Sequence, residues 1–128
     1  MRDVAMALVP GMMAPTASVA ARNAAIEMMA AVPPQTYRLA VAAIAAFDGR
    51  AHLAGIPVPV LCLAAEHDET SSPAVLQGMA QRIPGADYRC LKGLGHLAPV
   101  EDPPRWAAEV ADWCGRRIAG QWNSRVAQ

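Results

Sequence analysis

Only two stretches of this chain read as β-strand, and the first of them fixes the class of fold. Val60-Leu61-Cys62-Leu63-Ala64 is a continuous apolar run, entered through Pro57 and Pro59 and cut off by Glu66-His67-Asp68-Glu69. An uninterrupted apolar run of that length suits a strand covered on both faces, as in a parallel sheet flanked by helices. The second stretch, Asp87-Tyr88-Arg89-Cys90-Leu91, largely alternates polar and apolar residues and predicts a half-exposed edge strand. Between them, Ser71-Ser72-Pro73 opens a helix to about Ile83, with Leu76, Met79 and Ile83 on one face and Pro84-Gly85 as its stop. After the loop Gly93-Leu94-Gly95-His96, Asp102 caps a last helix with Pro103 in its first turn, and Trp106, Val110 and Trp113 form its core face. The order strand, helix, strand, helix defines an α/β segment with two parallel strands and flanking helices. Such a pair leaves its own edges bare, so the sequence predicts an incomplete domain.

The first part of the chain has no strand signal. A helix is expected from Pro15-Thr16 to about Ala31, ended by Val32-Pro33-Pro34, and another from Pro34 or Gln35 to Phe47, stopped by Asp48-Gly49. The resulting division is a helical segment over 1–47, an α/β segment over 48–119 and a frayed tail over 120–128. An apolar fraction of 54% with only 17% charged residues excludes wholesale disorder. Eleven basic residues balance eleven acidic ones, which argues against non-specific binding to nucleic acid or to an anionic membrane. The uncharged stretch between Asp3 and Arg22 is broken by Pro10, Gly11 and Pro15, so it does not read as a membrane span. Arg2 ahead of it and Ser18-Val19-Ala20 within it resemble a secretory leader, but Asp3 and the central Pro-Gly oppose that reading. Cys62, Cys90 and Cys114 have no C-x-x-C spacing and read as buried thiols of a reducing compartment. A soluble, cytoplasmic protein is the expectation.

Chemistry concentrates in two loops. If the strands are parallel and joined by a right-handed crossover, their carboxyl ends share one edge of the sheet. Asp68 then follows the first strand and His96 the second, both at the crevice where open α/β sheets bind ligands. A carboxylate that accepts the Nδ1 hydrogen of a histidine fixes its tautomer and frees Nε2 as a general base. Glu66 and Glu69 are competing acids. His52 and His67 read as a polar connector and a loop neighbour, and no pair among His52, His67, Asp68 and His96 has the helical spacing of metal ligands. Met12-Met13 and Met28-Met29 read either as packing or as the lining of an apolar channel.

From about Phe47 to Trp113 the sequence resembles the C-terminal part of an α/β-hydrolase. The residues that carry the resemblance are Ile56-Pro57-Val58-Pro59-Val60-Leu61, Ala65-Glu66-His67-Asp68, Ile83-Pro84-Gly85-Ala86, Gly93-Leu94-Gly95-His96, Glu101 and Pro103. The resemblance implies that Asp68 is the acid and His96 the base of a catalytic triad, with Ala65 standing where the family usually has glycine. It also implies that residues 1–47 are the remnant of a helical cap or lid. The wording is similar to that of 3-oxoadipate enol-lactonase-like members, which open a lactone or cleave related esters. The family's nucleophile sits in a G-x-S-x-G elbow ahead of the acid. Here the serines are Ser18, Ser71, Ser72 and Ser124, and none lies between such glycines.

Two functions follow as expectations. One is the C-terminal portion of a serine hydrolase for a small ester, lactone or similar carbonyl substrate. Its elbow and most of its sheet then lie upstream of Met1 or on another chain, the 128-residue chain alone is inactive, and no cofactor or metal is needed. The other is a non-catalytic, truncated remnant that forms a homodimer or binds a partner through its open sheet edge.

Overall fold

The computed structural model describes the backbone of residues 1–126 and the side chains through Arg117. In chain order the elements are α1 (Arg2–Met12), α2 (Val19–Ala30), α3 (Pro34–Ala46), a 3-10 turn (Arg50–Gly55), β1 (Leu61–Ala65), α4 (Pro73–Arg82), β2 (Asp87–Leu91), α5 (Ala98–Glu101) and α6 (Pro103–Val126). The two strands pair in parallel, in register from Leu61 opposite Asp87 to Ala65 opposite Leu91. Their carboxyl ends therefore finish side by side. Gly85 and Gly93 bracket β2 with φ of 68° and 73°, a conformation that glycine adopts without steric penalty.

Both strands and α4 fall within a residue or so of their predicted bounds. Asp102 Oδ1 accepts from Arg105 N at 3.1 Å, so α6 starts where the capping argument puts it. The helix then runs to Val126, through Gly115 and Gly120 and past the predicted fraying at Gly120, since each glycine weakens a helix by only about 1 kcal/mol. Residues 127 and 128 of the predicted tail lie outside the described residues.

The amino-terminal part needs two corrections. The Pro10-Gly11 break is instead part of α1, whose final turn contains Pro10. Proline removes one helical donor and clashes with the carbonyl four residues earlier. Here the affected carbonyl is that of exposed Met6, where water can satisfy it, and burial of Ala5 and Val9 against Ala21 and Ala25 of α2 sustains the helix. The second helix begins at Val19 rather than at Pro15, because Ser18 Oγ accepts from Ala21 N at 3.1 Å and caps it. The 3-10 turn and the four-residue α5 carry no periodic signal long enough to be read in advance.

The core is a set of three small clusters. Val9 is the largest fully buried side chain, and alanine dominates the remainder. Beneath the sheet, Cys62 packs with Leu53, Ala80 and Ile83, and burial pushes its thiol pKa up. Cys62 is buried as predicted, whereas Cys90 and Cys114 are only half-buried, and all three are free thiols. β2 is half-buried along most of its length, as the edge-strand reading expects, and α6 engages its polar positions Asp87 and Arg89. Arg89 pairs with Glu109 at 2.6 Å and Asp112 at 2.9 Å, while Asp87 Oδ2 accepts from Arg117 and from the indole of Trp113, all on α6. Trp106 packs on the buried cluster of Ala65, Leu91, Leu94 and Ala98, as its core-face spacing predicts, but neither it nor Trp113 is fully enclosed. Both are half-buried and line a broad hollow of about 720 Å³ with Val60, Leu61, Leu63 and Leu76, because β1 carries no second neighbour to cover it. No helix among the described residues is long and apolar enough to cross a membrane.

Candidate active site

The turn after β1 is built around one carboxylate. Asp68 N donates to Ala65 O at 3.1 Å and closes the turn, while Asp68 Oδ1 accepts from Thr70 N and Ser71 N, each at 2.8 Å. Asp68 is the single buried charged residue among the described side chains, at 9% exposure. Its Oδ1 is thus committed to backbone amides, and Oδ2 is left to face outward from the turn.

The loop after β2 meets that turn directly. Beyond the last strand pair, Glu66 N donates to Leu91 O at 2.9 Å and His67 N to Leu94 O at 2.8 Å. These bonds hold the two loops together past the end of the sheet. His96 Nδ1 lies 2.9 Å from Asp68 Oδ2, with the imidazole side chain 29% exposed. With Asp68 ionised, the contact requires Nδ1 to be the donor, so in the neutral imidazole Nε2 keeps its lone pair. The pair is therefore arranged to take up a proton at Nε2 and to stabilise the imidazolium that results.

The competing carboxylates have other occupations. Glu66 is exposed and accepts from Gly93 N at 2.8 Å and Lys92 Nζ at 3.0 Å, contacts that hold its carboxyl below the usual carboxylate range. Glu69 is exposed in the same turn. His67 is exposed and lines a hollow with Pro10, Met13 and Glu69 that Asp68 also borders, and His52 is exposed on the 3-10 turn. Among the described residues no group of three or more His, Cys, Asp or Glu is placed to hold a metal ion.

Two spaces adjoin these elements. A crevice of about 400 Å³ contains Asp68 and His96 and is otherwise lined by residues such as Leu63, Ala65, Met79 and Trp106. A second hollow, of about 320 Å³ and almost wholly apolar, lies between α1, α2 and α5. Met12, Met28 and Met29 line it with Val9, Leu97 and Val100, whereas Met13 is buried in the α1–α2 cluster.

The residues that position the histidine loop include two whose roles have no local signal. Glu101 Oε1 accepts from Gly95 N at 3.0 Å, and its Oε2 accepts from Ala14 N at 2.9 Å. Arg22 Nη2 donates to the carbonyls of Ala14 at 2.7 Å and Pro15 at 3.2 Å. Glu101 belongs to the sequence pattern quoted above, but its bond to Ala14 joins positions far apart in the chain, which no spacing argument can supply.

The structure thus brings together Asp68, on the turn after one parallel strand, and His96, on the loop after the next. Solved structures with the same fold as this chain include two esterases and an enol-lactonase. An esterase from Thermogutta terrifontis superposes with a TM-score of 0.83 over 89% of this chain and 43% of its own, at 23% identity. An enol-lactonase from Burkholderia xenovorans LB400 gives 0.80 over 90% and 45%, at 27% identity. An esterase from Exiguobacterium antarcticum gives 0.80 over 88% and 42%, at 12% identity. No protein-family model matches the chain, and no curated protein does. The chain has a partial α/β-hydrolase fold, and it spans less than half the length of the solved structures it matches.

Proposed function

We propose that this chain is the C-terminal portion of a serine α/β-hydrolase that cleaves an ester, a lactone or a similar carbonyl compound. The observation that carries the proposal is the 2.9 Å contact between His96 Nδ1 and Asp68 Oδ2, made by a buried aspartate whose other oxygen is fixed by two backbone amides. In this reading Asp68 orients His96 and stabilises its charged form. His96 Nε2 takes the hydroxyl proton of a serine as that oxygen attacks the carbonyl carbon, then passes the proton to the departing oxygen. The same nitrogen next takes a proton from water as that water attacks the acyl-serine ester, and returns it to the serine oxygen as the acid leaves, which restores the hydroxyl and the neutral imidazole. The serine and its oxyanion amides come from a portion outside these 128 residues, on the same native chain or on another. The reaction calls for no cofactor.

The esterase and enol-lactonase neighbours support the substrate class. The test is ester hydrolysis by this segment joined to, or mixed with, a nucleophile-bearing portion. His96→Ala is expected to abolish nearly all turnover, and Asp68→Asn to reduce kcat by about 10⁴-fold. An unchanged rate in His96→Ala overturns the assignment. The 128-residue chain alone is expected to show no hydrolysis.

A second reading, a non-catalytic remnant that self-associates, has one observation in its favour. Leu39, Ile44 and Phe47 on and just after α3 are 64%, 75% and 78% exposed. A monomer in sedimentation velocity that binds no hydrophobic dye removes this reading.

A further inference from the structure

The histidine loop is held on two sides by groups that have no part in the proton transfer. His96 N donates to Met12 O at 2.8 Å, at the end of α1. One residue earlier, Gly95 lies so close to the same segment that a Cβ on it would sit 2.5 Å from Ala14 N and 2.7 Å from Met13 C. Both contacts set how near the loop can approach. Neither contains a group that chooses between alternative placements, because one is a backbone pair and the other an absence of side chain.

Glu101 supplies that choice. Its two carboxylate oxygens span the junction, one on Gly95 N and the other on Ala14 N. An ionised carboxylate offers acceptors only, so both amides can be satisfied at once. The two amides belong to different halves of the chain: one adjoins the imidazole, and the other opens the turn between α1 and α2. From the far side, Arg22 holds the carbonyl of Ala14.

We propose that Glu101 is a positioning residue for His96, one that locks the imidazole loop to the α1–α2 turn and thereby maintains the Asp68–His96 contact. The proposal rests on the reading of His96 as the base, but its test reads geometry rather than turnover, so the two can fail separately. The protein moves no proton through Glu101. The residue acts by fixing where Gly95, and with it His96, can lie.

The experiment uses the 128-residue chain and the substitution Glu101→Gln, which keeps the shape but turns one acceptor towards its amide as an NH2 donor. Imidazole ¹⁵N shifts report the fraction of His96 with hydrogen on Nδ1, and hydrogen exchange reports the amides of Gly95 and Ala14. The expected result is exchange at those two amides faster by about tenfold, the scale of one lost charge-assisted bond, together with a reduced Nδ1–H population. Val9→Ala, which loosens the α1–α2 packing without touching the carboxylate, is the control and is expected to leave the His96 signal unchanged. Wild-type signals in Glu101→Gln overturn the proposal, as does an equal effect from Val9→Ala. If Glu101→Gln does not fold, Glu101→Asp, too short to span both amides, is read in the same way. A chain that folds with neither variant makes Glu101 a residue of folding alone and also overturns the proposal. In a completed hydrolase, loss of turnover in Glu101→Gln with the imidazole signal intact points to another role. Loss of the imidazole signal with turnover intact counts against His96 as the base and leaves the positioning role standing.

Discussion

The helical segment contains two pieces of similar apolar character with opposite fates. Alanine supplies five of the twelve residues of α2 and five of the thirteen of α3, while α1, with two in eleven, is apolar through Val, Met and Leu as well. Yet Ala5, Val9, Ala21 and Ala25 are buried where α1 meets α2, whereas no residue of α3 is buried at all. Short helices owe most of their stability to packing, so composition does not separate the two pieces. What separates them is the presence of a partner. The α1–α2 pair has each other, Val100 of α5 and Leu97 just before it, and the polar tether through Glu101 and Arg22. Helix α3 presents Leu39, Val41 and Ile44 to solvent. A helix can thus be well specified locally and still contribute nothing to the core that the chain makes by itself.

The strongest challenge to this contrast is Gly95→Ala. The added methyl would meet backbone atoms of Met13 and Ala14, which cannot swing aside as a long side chain would. Overpacking of this kind destabilises by about 1–3 kcal/mol, and urea denaturation is expected to show a loss near the upper end with the α1–α2 pair loosened. If stability is unchanged, the close approach of the two halves does not hold them together. Next in size is Val9→Ala, expected to remove about 2 kcal/mol through the lost methyl groups and the space they leave. Acid unfolding sharpens the comparison further. The Trp113 indole and Arg117 hold the Asp87 carboxyl below its ordinary range, and Gly93 N and Lys92 do the same for Glu66. A carboxylate whose folded pKa is depressed adds stability above its unfolded pKa of about 4 and loses it as pH falls through the folded value. The α/β part is therefore expected to weaken below about pH 4, and Asp87→Asn to flatten that limb of the thermal unfolding curve. The smallest effect belongs to α3: Ile44→Ala should change stability by less than about 0.5 kcal/mol. A loss equal to that of Val9→Ala would show that α3 is covered in solution.

Much of the α/β part was legible because its signals are local. Proline entry and charged exit delimit β1, Ser72-Pro73 opens α4, and Asp102 caps α6. The two loops bearing Asp68 and His96 fall together because parallel strands leave the sheet on the same edge, a rule of topology rather than of these residues. What was not legible has a common origin in contacts between distant positions. Pro10 reads as a break in the sequence because the support that α1 receives from Ala21 and Ala25 is tertiary. The α6 partners of Asp87 and Arg89 lie about twenty to thirty residues away in sequence, beyond any local signal. Trp106 and Trp113 carry the spacing of a core face, but spacing does not say whether anything lies opposite. The role of Glu101 depends on Ala14, and no window along the chain contains both.

The glycines at either end of β2 give the strand a further property. Gly85 and Gly93 both turn the chain through the left-handed region, one on entry and one on exit. Between them, five residues of β2 match five of β1. The segment therefore works as a ruler of fixed length, measuring the distance from the end of α4 to His96. Substitution along it changes what the ruler is made of. Insertion or deletion of a single residue would move its far end by about 3.3 Å and turn the following side chains to the opposite face of the sheet. That shift exceeds the 2.9 Å that separates His96 from Asp68. In any lineage that keeps this pair in contact, the spacing from Gly85 to His96 should drift in composition while staying constant in length.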